Sequence, residues 1–72
     1  MDFAKKIKKE RKKLGITQQE LAERTGLSQR TIAAYEVQEV TARYKNIVKL
    51  AGALHVAVDY LMNDEAQEPI YQ

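Results

Sequence analysis

The chain has no cysteine, one proline and one histidine, and no apolar run near the roughly 20 residues that a membrane-spanning helix needs. Without cysteine, neither a disulfide framework nor a thiolate zinc site can staple the fold. The lone histidine, His55, falls near the end of a helical stretch and reads as a surface or capping residue rather than a general base. No H-E-x-x-H spacing and no G-x-x-x-x-G-K-[ST] phosphate loop occurs. The carboxylates scatter over charged helical positions instead of forming an inward pair. The expectation is therefore a chain that is not an enzyme and needs no metal or cofactor. No signal-peptide pattern opens the sequence, so a soluble cytoplasmic protein is expected, nucleoid-associated if it binds DNA. Seventy-two residues suffice for one small domain, and a compact helical bundle is the economical way to bury its modest core.

What is present is charge, unevenly placed. Residues 1–53 hold all 12 lysines and arginines against six acids, a balance of +6. Residues 54–72 hold Asp59, Asp64, Glu65 and Glu68 with no base, a balance of −4. Seven of the basic residues, Lys5, Lys6, Lys8, Lys9, Arg11, Lys12 and Lys13, fall in the first helical stretch. A basic body suits a polyanionic partner. A solvated lysine-rich face is an equally simple reading, and charge alone does not choose between them.

The most informative segment is TQQELAERTGLSQRTIAAYE, residues 17–36. Thr17 and Glu20 make a T-x-x-E capping box that starts a helix over 18–25. Gly26 ends it, where a residue tolerating positive φ is needed. Ser28 caps a second helix, 28–36, in which Ile32 and Tyr35 supply a buried face at helical spacing. Two such helices about a short glycine turn are a helix-turn-helix signature, and the second has the size and shape to enter the DNA major groove.

Around this unit, helical spacing predicts a first helix over 2–14, capped by Asp2 and stopped at Gly15, with Phe3, Ile7 and Leu14 as its apolar stripe. Arg11 falls on that stripe, four residues after Ile7, and Glu36 falls inward, four after Ile32. An unpaired buried ion is costly, so Arg11 and Glu36 are expected to pair and tie the first helix to the third. A fourth helix is expected over 42–54, capped by Thr41, with Tyr44, Ile47, Val48, Ala51 and Leu54 inward. A short fifth covers 58–63, with Val58, Leu61 and Met62 apolar. The domain is thus drawn over 1–63, followed by an acidic, aperiodic tail over 64–72 that contains the only proline.

The order IKKERKKLGITQQELAERTGLSQRTIAAYE followed by IVKLAGALHVAVDYLM closely resembles the phage repressor/Cro-like (XRE-type) helix-turn-helix family, over roughly residues 4–63. The resemblance implies an all-α, five-helix, lambda repressor-like domain that binds operator DNA as a two-fold dimer and regulates transcription, commonly as a repressor. It implies that Ala22 lets the two motif helices cross closely and that Leu21, Leu27, Ile32 and Tyr35 fix their angle. It places Gln18 against a phosphate and turns Ser28, Gln29 and Arg30 to the groove floor. There Gln29 suits adenine and Arg30 suits guanine. Ala33 and Ala34 lie on the same outward side, where Ala34 suits a thymine methyl. Thr31 serves either as a local cap or as a phosphate contact. Arg43 and Lys45 either flank the DNA backbone or pair with surface acids.

Two departures from the family pattern bear on assembly. After the third helix the family turns through a stretch like E-x-G-x-x-x-P, but Gln38 stands where Gly is usual, Glu39 where a base is common and Ala42 where Pro is usual. A distinct loop is expected here, with weaker phosphate binding than in relatives. The alternative is one continuous helix over 28–53, which invites a domain-swapped dimer. Val37 and Val40 are candidates to pack on a partner subunit. Before the fifth helix Ala57 replaces a polar cap. That helix end often carries the dimer contact in the family, making Val56, Tyr60, Leu61 and Met62 candidates, although Leu61 and Met62 read equally well as core. The rival functional readings are a protein-binding module such as an antitoxin, or a DNA-binding domain excised from a longer regulator.

Overall fold

The computed structural model describes residues 3–37 and 42–62. These form five helices: α1 (Phe3–Lys13), α2 (Gln18–Thr25), α3 (Gln29–Glu36), α4 (Tyr44–Leu54) and α5 (Val58–Met62). Helix α1 packs on α3, α4 and α5; α2 packs on α3 and α4; α4 also meets α5. The core is Ile7, Ile16, Leu21, Ala22, Ile32, Tyr35, Ala42, Ile47, Leu50, Ala51, Leu54, Tyr60 and Leu61, with Phe3, Leu27 and Val56 packed against it. Among the described residues, no helix is long and apolar enough to cross a membrane.

Three helix ends are set by left-handed residues. The Gly15 N–H donates to the Lys12 carbonyl and the Ile16 N–H to the Arg11 carbonyl, the paired bonds of a Schellman turn about Gly15 at φ 70°. Gly26, at φ 77°, donates to the Ala22 carbonyl at 2.8 Å and closes α2. His55 takes the same conformation after α4, at φ 60° and ψ 41°, without the freedom of a glycine. It is an exposed, capping histidine.

The structure corrects several sequence expectations. Leu14, expected on the inner stripe, is exposed, because α1 ends at Lys13 and the turn about Gly15 carries Ile16 into the core instead. Tyr44 and Val48, expected inward on α4, are 63% and 42% exposed. The buried stripe is Ile47, Leu50, Ala51 and Leu54, one residue round from Val48, while Ala42 fills the interior before the helix begins. Met62 is exposed, whereas Leu61 is core. Helix α4 starts at Tyr44 rather than 42, behind Arg43, which makes no side-chain cap. Because α3 closes at Glu36, with Val37 at φ −108°, and α4 opens at Tyr44, the two are separate helices. The expected caps Asp2 and Thr41, with Gln38, Glu39, Val40, Asn63 and the 64–72 tail, lie outside the described residues.

Candidate nucleic-acid interface

Two helix N-termini meet at one end of the bundle. At α2, Thr17 Oγ1 accepts from the Glu20 N–H and Glu20 Oε1 accepts from the Thr17 N–H, each at 3.0 Å, completing the capping box. These bonds hold the exposed Glu20 carboxyl below the usual carboxylate range. At α3, Ser28 Oγ accepts from the Thr31 N–H at 3.0 Å and shares a 2.8 Å hydrogen bond with Thr31 Oγ1. Thr31 is thus engaged in the local cap. Between the helices, buried Thr25 donates its hydroxyl to the Leu21 and Ala22 carbonyls and accepts from the Leu27 N–H, tightening the turn around Gly26.

Helix α3 is anchored from behind. Ile32 and Tyr35 are buried beneath it. The Tyr35 ring meets Phe3 edge-on at 5.8 Å, and its hydroxyl accepts from Asn46 Nδ2 of α4 at 2.9 Å. With that face fixed, Ser28, Gln29 and Arg30 stand exposed on the first turn, and Thr31, Ala33 and Ala34 are half-buried beside them. Arg43 and Lys45 are exposed at the start of α4.

A hydrogen-bonded series of polar side chains underlies this surface. Arg11 Nε donates to Glu36 Oε2 at 2.7 Å, Arg11 Nη2 to Glu36 Oε1 at 3.1 Å, and Arg11 Nη1 to the Ile16 carbonyl at 2.8 Å. Gln18 Nε2 donates to Glu36 Oε1 at 3.1 Å, and Gln29 Nε2 donates to Gln18 Oε1 at 2.6 Å. Burial alone pushes the Glu36 carboxyl up. The hydrogen bonds from Arg11 and Gln18, with the charges of Arg11 and Lys8, outweigh burial and hold it below its ordinary value. The same bond to Glu36 raises the Arg11 guanidinium against burial. The sequence pointed to the pairing of Arg11 with Glu36, but nothing in it showed that Gln18 and Gln29 extend the series.

A second polar cluster was not anticipated. Lys6 is fully buried, its Nζ donating to the Tyr60 carbonyl at 2.6 Å and lying 4.8 Å from the Tyr60 ring centroid. The Tyr60 hydroxyl donates to buried Glu10 Oε2 at 2.9 Å, and Lys13 approaches the same carboxylate at 3.7 Å. The available signal was spacing: Lys6 and Glu10 each follow an apolar stripe residue, Phe3 and Ile7, by three positions. The cluster corrects one expected partner contact, because Tyr60, only 4% exposed, is a core residue and presents no face to another subunit. Of the other candidates, Val37 is exposed, Val56 is half-buried and packed on the core, and Val40 lies outside the described residues.

Residues 7–61 match the sequence profile of the Helix-turn-helix family. The chain belongs to that family. This helix-turn-helix domain is 33% identical over 70 residues to the uncharacterized HTH-type transcriptional regulator YqaE of Bacillus subtilis (strain 168), covering 97% of this chain and 60% of that protein. It is 32% identical over 72 residues to the cryptic phage CTXphi transcriptional repressor RstR of Vibrio cholerae, covering 94% of this chain and 64% of that one. The chain therefore spans a little under two thirds of the length of these relatives. Its fold superposes on the P22 c2 repressor, in a crystal structure with synthetic operator 9T, with a TM-score of 0.81 at 33% identity over 85% of this chain and 92% of that one. The N-terminal DNA-binding domain of SinR from Bacillus subtilis shares the fold at a TM-score of 0.83 and 24% identity, over 90% of this chain and 96% of that one.

Proposed function

We propose that this helix-turn-helix domain binds double-stranded DNA in a sequence-specific manner and regulates transcription as a repressor, with α3 in the major groove. The observation that carries the reading is the exposed first turn of α3, Ser28-Gln29-Arg30, on a helix locked from behind by Ile32 and Tyr35. A rigid helix of this size fits the groove, and glutamine and arginine carry the donor and acceptor patterns that distinguish adenine and guanine there. The likeness to the P22 c2 repressor, solved with an operator, supports the same conclusion.

In this reading Gln29 pairs with adenine, Arg30 with guanine, and Ala33 and Ala34 lie against the groove wall. Gln18 directs its remaining amide hydrogen to a phosphate beside the N–H groups of the α2 terminus. Arg43 and Lys45 contact the flanking backbone, and Thr31 keeps its capping role at the groove edge. The domain acts as a homodimer on an imperfect palindrome, two recognition helices about one DNA turn apart. Val37, Val56 and Met62 are the candidate contacts that the described residues leave for the dimer.

Selection of bound duplexes from a random pool tests this, with binding measured at two salt concentrations. Enrichment of a symmetric motif, and affinity falling steeply with salt as counterions are released, is expected. Enrichment of no sequence overturns the proposal.

A further inference from the structure

We propose that Glu36 dictates which way round Gln29 presents its amide, acting through Gln18, and so positions a base-reading residue that it does not touch. The inference rests on the reading of α3 as the groove-facing helix. The series Arg11–Glu36–Gln18–Gln29 has one allowed polarity at each link. An ionised carboxylate only accepts hydrogen bonds, so the Gln18 atom 3.1 Å from Glu36 Oε1 must be its Nε2. That places Gln18 Oε1 on the opposite side of the amide. An amide oxygen also only accepts, so the Gln29 atom 2.6 Å from it must be Nε2.

The orientation of Gln29 is therefore imposed from the far end of its own helix. Its second Nε2 hydrogen and its Oε1 remain for a base, in a fixed order. Order matters because the adenine edge offers its N7 acceptor beside its N6 donor, and a turned amide sets oxygen against N7 and nitrogen against N6. Glu36 cannot rotate out of the series. Its side chain is 3% exposed, and both oxygens are engaged by Arg11, which is held in turn by the Ile16 carbonyl. Arginine donates only, so the polarity cannot be reversed from that end either.

The test uses the full chain and the variants Glu36→Gln, Gln18→Met and Gln29→Ala. Glu36→Gln substitutes a group that both donates and accepts, which frees the direction of Gln18. In the DNA-free protein, the Gln29 side-chain amide resonances are expected to move in Glu36→Gln, although the two residues do not touch. In selection from random duplexes, Gln29→Ala identifies the base position that Gln29 reads. Glu36→Gln and Gln18→Met should each lower the adenine preference at that position by about five- to tenfold, leaving the position read by Arg30 unchanged. Gln18→Met keeps the pair between Arg11 and Glu36, so it carries the test if Glu36→Gln folds poorly. Unmoved Gln29 amide signals, unchanged adenine preference in both variants, or equal weakening at every position would each overturn the proposal. If the unsubstituted chain selects no sequence while the Gln29 signals still respond, the hydrogen-bond series exists, but the DNA reading fails and the proposal with it.

Discussion

The Tyr60 hydroxyl donates to the Glu10 carboxylate at 2.9 Å, joining α5 to α1 across a sequence separation of 50 residues. The same tyrosine offers its carbonyl to Lys6, so one residue satisfies a buried cation and a buried anion of α1. Tyr60→Phe should cost about 1–3 kcal/mol, because it leaves the Glu10 carboxylate short of a donor inside the fold. Urea melts of the two proteins check this; equal midpoints would show that the bond adds nothing net.

The tyrosine also predicts alkaline behaviour. Burial first, then the bond to Glu10 and its charge, push the Tyr60 hydroxyl up to about 12 from 10.0. A group raised on folding contributes stability that is fully present below its unfolded value and lost as pH rises through the folded one. Stability should therefore decline between about pH 10 and 12 as Tyr60 ionises. Ultraviolet titration of tyrosinate, compared with Tyr60→Phe, isolates that ionisation.

The pair between Arg11 and Glu36 should show the strong asymmetry of a buried ion pair. Either Arg11→Ala or Glu36→Ala should destabilise by about 3 kcal/mol, and the double variant by much less than the sum, since each single change strands the other charge. The Glu36 carboxyl is depressed on folding, so its contribution is fully present above its unfolded value near pH 4.3 and lost as pH falls through the lower folded value. Thermal melts should show the gap between Glu36→Gln and the unsubstituted chain closing as the solution is acidified through that window. A gap independent of pH would exclude the carboxylate as its origin.

His55 holds a left-handed conformation that costs an L-residue energy and glycine little. His55→Gly should stabilise the domain by about 0.5–1 kcal/mol and raise Tm by a few degrees. A lowered Tm would mean that the imidazole makes a contribution outweighing the backbone term.

If α3 reads DNA as proposed, Arg30 and Arg43 should fail differently when truncated. Arg30→Ala should cost about 1–3 kcal/mol and relax preference at one base position, whereas Arg43→Ala should weaken all sequences alike and reduce the salt slope by about one. Competition titrations with single-base operator variants at two salt concentrations distinguish the patterns. Uniform weakening by Arg30→Ala would reassign that residue to the backbone.

The sequence carried the helix-turn-helix legibly because its determinants are local. Thr17 with Glu20, Gly26, and Ser28 lie within a turn or two of the bonds they make, so spacing alone located α2 and α3. Arg11 and Glu36 were readable for a related reason: each sat on an apolar stripe where only a partner makes a charge tolerable. Tyr44 and Val48 were misread because an apolar residue within a turn of a stripe fits either face, and only the neighbouring helices decide which face is covered.

The sequence by itself determined where α2 and α3 start and stop, that Arg11 and Glu36 needed company, and which family the chain resembles, since propensity, capping and periodicity act over a few residues. Only the tertiary structure decided that Lys6 is interior, that Tyr60 belongs to the core rather than to a partner, and that Gln18 links Glu36 to Gln29. Each of those outcomes depends on a donor meeting an acceptor from a distant part of the chain. The free energy of burying a polar group turns on whether that partner is there.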